Sequence, residues 1–125
     1  LHFHIERIAK REPIGFVNTD AEMSFIQGTE AAQFLKWAGM TEIEGPINAT
    51  ANGKISMAEL ITLIEKATGE SARISLVGND DIRSPYAIPD SWYMSNQKAE
   101  ENGFNFSHLD DWLEPLINTI ANQAE

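Results

Sequence analysis

Apolar side chains recur along this chain with helical spacing in several places and with strand-like alternation in few. Leu1, Ile5 and Ile8 stand four and three apart, which predicts a helix over 1–11 that Pro13 ends. Ile14 to Val17 and Met23 to Ile26 are short apolar runs separated by Asn18-Thr19-Asp20, and they read as two brief strands around a turn. Thr29 is placed to cap a helix running to about Trp37, with Ala32, Phe34, Leu35 and Trp37 available to a core and Gly39 at its end. Ile47 to Thr50, behind the Gly45-Pro46 break, is the next extended candidate.

The clearest local signal is Ser56-Met57-Ala58-Glu59, a capping box in which serine and glutamate satisfy each other's neighbouring amides. Behind it Leu60, Ile61, Leu63, Ile64 and Ala67 build an apolar face that closes at Gly69. Arg73 to Val77 alternates as a half-buried strand does, and 78–91 reads as a long surface loop. A short helix over Ser95 to Asn102 stops at Gly103. The last helix carries Leu109, Trp112, Leu113, Leu116, Ile117 and Ile120 on one stripe, and Pro115 within it requires a late start near Asp110 or a kink. The expectation is one domain, 1–125, of α/β or α+β class with four or five short strands and about five helices.

Charge then narrows the partners. Nine Lys plus Arg stand against 19 Asp plus Glu, a net charge of −10. The basic residues are scattered singly apart from Lys10-Arg11, so neither nucleic acid nor an anionic membrane surface is an expected partner. No run of apolar residues approaches the roughly 18 needed to span a bilayer. The absence of cysteine excludes thiolate catalysis and fits a cytoplasmic setting.

Cofactor and catalytic motifs are also missing. The closest pair of glycines, Gly39 and Gly45, is six apart, whereas a dinucleotide loop needs glycines two and three apart and a P-loop needs a gap of five followed by Lys. Tyr86 and Tyr93 are followed four residues on by Asp90 and Gln97, so neither has a lysine one helical turn away. There is no G-x-S-x-G elbow and no H-E-x-x-H pair. No catalytic, cofactor-binding or metal residue is therefore assigned. Asn48 to Glu59 does have the spacing of a calcium-binding loop, with Asn48, Thr50, Asn52, Gly53 and Glu59 in register. Glu59 is the only acid among the ligand positions and Pro46 blocks an entering helix, so this EF-hand-like module is an alternative to a strand, a turn and a capped helix.

Gly45-Pro46-Ile47-Asn48-Ala49, Ser56-Met57-Ala58-Glu59-Leu60, Trp92-Tyr93-Met94-Ser95-Asn96-Gln97-Lys98-Ala99 with Gly103-Phe104, and the Leu109–Ile120 stripe follow one another in a familiar order. Together they resemble the C-terminal third of the extended short-chain dehydrogenases, the NAD-dependent sugar epimerases and dehydratases. Met23-Ser24-Phe25-Ile26 falls where that family has an "R-D-F-I" strand, so the resemblance covers nearly the whole chain. It implies a substrate-binding region that lacks its Rossmann core and is not catalytic alone. NAD or NADP would belong to a missing N-terminal domain. The absent initiator methionine and a start inside a helix agree with such a piece. The apolar side of helix 1–11 is then expected to lie uncovered and to favour a homo-oligomer. The alternative is an acidic, non-enzymatic α/β interaction domain.

On that resemblance Arg83 is the candidate grip for a substrate's anionic group, with an ion pair to Asp80 or Asp81 as its other reading. Tyr86 either faces a sugar or base or anchors Pro85 and Pro89. Asn48 either enters the pocket or closes the turn before Asn52-Gly53. Met23 replaces the family's arginine and cannot neutralise a phosphate, which opens the way to a smaller or less charged substrate. Lys98 is expected to serve Glu100 or Glu101. The three tryptophans are assigned to core or interface, and His2 and His4 to solvent or a partner. His108 is expected beside Asp110 and Asp111 but outside any triad.

Overall fold

Helix α1 (His2–Ala9) turns His4, Ile5 and Ile8 inward, as the four-and-three spacing requires. The structure, a computed structural model, describes residues 1–76 and 81–123. The apolar side of α1, expected to lie uncovered, is closed against α3 (Met57–Thr68) and α5 (Leu113–Gln123). Ile5, Ile8, Leu60, Ile64 and Ile117 are buried where these helices meet, each contributing roughly 1.5–3 kcal/mol by leaving water.

Helix α3 begins and ends as its residues dictate. The Ser56 hydroxyl accepts the Glu59 amide at 3.1 Å, and Gly69 closes the helix with φ of 74°. Before α5, a short 3₁₀ turn at Leu109–Asp111 delays the helix, so Pro115 falls in the first turn, where a missing amide removes no hydrogen bond.

The strands are shorter than their apolar runs. β1 (Pro13–Gly15) pairs in parallel with β4 (Arg73–Ser75), and β2 (Glu22–Met23) pairs antiparallel with β3 (Ile55–Ser56). The two runs expected around a single turn therefore belong to different sheets. Two further segments extend those sheets. Residues 82–84 run beside Gly15, which accepts the Ser84 amide and donates to the Ile82 carbonyl, and Trp92 bridges in parallel to Met23.

Helix α2 (Gly28–Gly39) builds a second apolar cluster. Its Phe34 packs on Phe104 and Phe106 at ring distances of 5.4 and 5.7 Å, with Ala99 of α4 (Gln97–Glu101) completing the cluster. Thr29 lies inside the first turn rather than at its cap, which Gln27 occupies without a side-chain hydrogen bond. Leu35 is 70% exposed and Ala32 is also outside the core, because a two-layer contact takes one stripe of the helix and not the wider face read from the sequence. Ile74 and Leu76 of the β4 region are likewise exposed and line an open groove with Ile61, Thr62 and Glu65 of α3. Val77 and residues 78–80 of the expected loop lie outside the described residues.

No described helix is long and apolar enough to cross a membrane.

Candidate functional site

Side chains alternate as the chain passes Gly15, so Arg83 is exposed while Ser84 is buried. Arg83 thus presents its guanidinium on the outer side of the β1 sheet. Of its two expected partners, Asp80 and Asp81, the first lies outside the described residues.

Tyr86 turns inward instead. Its ring stacks on His4 at 4.7 Å and meets Phe25 edge-on at 5.2 Å, and its amide donates to the Ser84 hydroxyl at 2.9 Å. The phenol accepts the Leu1 nitrogen at 3.0 Å, and burial pushes its pKa up. The ring therefore anchors its own segment onto α1 and leaves part of one edge for a pocket.

His4 was expected at the surface and is fully buried. It is sandwiched between Phe16 and Tyr86 and shares a hydrogen bond with Ser84 Oγ through Nε2. Burial, with the amino group of Leu1 adding to it, holds the imidazole down at about 4. A serine within hydrogen-bond reach of a histidine is the geometry of a nucleophile and its base. Here Ser84 is only 3% exposed, its oxygen is already committed to the Tyr86 amide, and among the described residues His4 Nδ1 has no partner to orient the ring. The pair is a polar pin within the core. Nothing in the sequence links positions 4 and 84, and only the fold brings them together.

Asn48 is exposed, and its amide donates to the Ser95 carbonyl at 3.3 Å. The pocket that Tyr86 lines includes neither Asn48 nor Arg83, so the three candidates do not share that pocket. The better-connected amide is Asn52, read from the sequence as a turn residue or a position of the calcium-like loop. It donates to Phe106 O and Glu100 Oε1 and accepts from Asn96, tying the segment before β3 to α4. Asn52 is thus turned toward α4 rather than toward Glu59, whose amide is bound by Ser56. Among the described residues no group of three His, Asp or Glu side chains gathers as a metal site requires. Lys98 serves neither expected carboxylate. Its ammonium donates to the Glu44 and Pro46 carbonyls at 2.7 and 2.9 Å and pins the turn at Gly45.

A polar cleft of about 250 Å³ opens beside Asn52, lined also by Lys54, Tyr93 and Asn96. The Lys54 ammonium lies 4.3 Å from the Tyr93 ring centre and 3.4 Å from Glu22 Oε1. Tyr93 first, and Glu22 after it, hold this lysine above its ordinary range against the opposing effect of burial. His108, beside Gly53, accepts the Asp110 amide through Nδ1 and lies 3.4 Å from the Asp110 carboxylate.

No protein family matches the chain by sequence profile, and no curated protein matches it. Solved structures do. UDP-glucuronic acid 4-epimerase from Bacillus cereus in complex with NAD superimposes on all of this chain with a TM-score of 0.69 at 18% identity. The complex of that enzyme with UDP-glucuronic acid and NAD gives 0.71 over 98% of the chain at 21% identity. This is the fold of the C-terminal part of such an epimerase. The chain spans 40% of the length of those proteins. At these identities the likeness is one of architecture, and it extends over five helices and the short strands between them.

Proposed function

We propose that this chain is the substrate-binding portion of an NAD(P)-dependent epimerase or dehydratase-type oxidoreductase acting on a sugar-like hydroxylated substrate. The observation that carries the reading is the match of the entire chain to 40% of a UDP-glucuronic acid epimerase. The residues present do not fit a dinucleotide. A pyrophosphate cradle needs closely spaced glycines ahead of a helix, and α2 opens on a single one, Gly28, with no second glycine nearer than eleven residues on. Cofactor binding and hydride transfer are thereby assigned to polypeptide outside this sequence, whose cytoplasmic setting is part of the same reading.

Arg83 then supplies the positive end of the substrate site. Its guanidinium is permanently charged and planar, suited to a carboxylate or phosphate, and its place at the sheet edge keeps it in solvent. Tyr86 and Ser84 fix the segment that carries it by binding back onto α1. Asn48, through its hydrogen bond to the Ser95 carbonyl, orients the approach to α4. Met23 leaves uncharged the position at which the family that the chain resembles carries an arginine, which limits the anionic groups that the piece alone holds.

The test is a nitrogen-15 NMR titration of the 125-residue chain with UDP-glucuronic acid, free glucuronic acid and NAD in turn. UDP-glucuronic acid is expected to shift amides in 82–94 with affinity on the order of millimolar, and Arg83→Ala to abolish the effect. NAD is expected to shift none. Free glucuronic acid acting on the same amides identifies a substrate without a nucleotide. Saturable NAD binding, or no response to either uronic acid, overturns the proposal.

A further inference from the structure

Among the described residues β4 pairs with β1 alone, while β1 also carries the 82–84 segment on its other side. β4 is therefore an edge strand. The Phe16 amide donates to the Ser75 carbonyl at 2.9 Å, so Ser75 turns its backbone groups to β1. Backbone groups alternate along a strand, so Ile74 turns its own amide and carbonyl outward. Its side chain is 37% exposed and that of Leu76 64%, on the face that borders a groove of about 370 Å³ along Ile61, Thr62 and Glu65 of α3. An open edge with apolar side chains is a template for a further strand, and soluble proteins usually guard such edges with Lys or Pro. Residues 72–76 contain neither.

We propose that β4 pairs antiparallel with β4 of a second copy of this chain, about a two-fold axis at Ile74, so that one sheet runs through both molecules. A second copy is the occupant because Ala72-Arg73-Ile74-Ser75-Leu76 is complementary to itself in this register. Ile74 meets its own counterpart, and the two exchange both backbone hydrogen bonds. Leu76 of each copy stands opposite Ala72 of the other, so a large side chain meets a small one on the groove face. On the opposite face Arg73 stands across from Ser75. A register centred on Arg73 would instead set two arginines against each other, and like charges directly opposite are destabilising. The Ala72 amide keeps its bond to Glu65 at 2.8 Å, and the ladder runs through the Ile74 and Leu76 amides. The net charge of −10 on each copy opposes the contact, so pairing strengthens as salt screens it. Arg83 lies on the other side of β1, and the pairing does not depend on the substrate-binding reading.

Sedimentation equilibrium of the 125-residue chain at about 0.5 M salt, where surface repulsion is screened, is expected to show a monomer–dimer equilibrium. Its Kd is expected on the order of 100 µM, as a small interface gives. Hydrogen exchange at the Ile74 amide slows as protein concentration rises, while that at Ser75, turned toward β1, does not. Ile74→Lys sets two ammonium groups against each other at the axis and is expected to raise Kd about tenfold or more. Ser75→Glu faces Arg73 of the other copy, twice by symmetry, and is expected to lower Kd about two- to tenfold. Should Ile74→Lys fail to fold, the concentration dependence of the Ile74 amide in the unsubstituted chain decides by itself. A chain that stays monomeric at about 1 mM overturns the proposal, since a Kd in the expected range makes it mostly dimer there. A dimer that Ile74→Lys leaves intact, or an Ile74 amide indifferent to concentration, overturns the face. A dimer that Ser75→Glu does not tighten overturns the register.

Discussion

His4 and Ser84, eighty positions apart in the chain, share a buried hydrogen bond that ties the first helix to the segment carrying Arg83. The imidazole is enclosed by Phe3, Phe16 and Tyr86, with Ser84 and the Leu1 amino group as its polar surroundings, and among the described residues no carboxylate pairs with it. A proton on this ring would be a buried cation without a counter-charge.

That enclosure sets a pH dependence. The native ring takes up its proton only at about 4, against an ordinary value of 6.5, so between those values the unfolded chain binds more protons than the folded one. The contribution to stability is complete above pH 6.5 and is lost as pH falls toward 4, about 3 kcal/mol in all. Urea unfolding across that range is expected to show the decline, and His4→Phe to flatten it. An equally steep decline in the variant would assign it to carboxylates instead.

Gly53 is held where a side chain does not fit. Its φ is +95°, and a Cβ there would stand 2.8 Å from His108 Cε1. Gly53→Ala is expected to destabilise by about 1–3 kcal/mol. Adding His108→Ala relieves the overlap but not the backbone strain, so the double variant should recover part of the loss and no more. Full recovery in thermal melts would show that the strain contributes nothing.

Asn52 and Asn96 act as one unit. Removing Asn52 leaves the Phe106 carbonyl, Glu100 and the Asn96 amide short of partners, and Asn52→Ala should cost about 2–3 kcal/mol. Asn96→Ala should cost less, and the double variant less than the sum. Additive losses in a double-mutant cycle would refute the coupling.

Ser56→Ala tests the start of α3. Loss of the hydroxyl that accepts the Glu59 amide should destabilise by about 1 kcal/mol and speed amide exchange in the first turn, with Gly69 and the far end unaffected. Unchanged exchange at residues 58–60 would mean that packing alone holds that turn.

Much of the helical part was legible because helices are decided by neighbours three and four residues apart. The spacing of Leu1, Ile5 and Ile8, the Ser56–Glu59 box, Gly69 and the position of Pro115 each act within one or two turns, and each is realised in the structure. The resemblance built on motif order also led to the right architecture. The candidate site was less legible. Arg83 was singled out and is exposed, Tyr86 packs on His4, and Asn48 makes one side-chain hydrogen bond where Asn52 makes three.

Sequence alone determined which segments are helical and where they stop, because capping, turn chemistry and apolar period are local. It also determined the acidic surface and the absence of a dinucleotide loop, which are matters of composition and spacing. Tertiary structure decided the strand partners, since runs of two or three residues carry too little pattern to choose between β2 and β4 as the neighbour of β1. It alone placed His4 against Ser84 and Asn52 against Asn96, and left Leu35, Ile74 and Leu76 outside the core. Those outcomes depend on which surfaces meet when distant segments pack, and no neighbour along the chain encodes that.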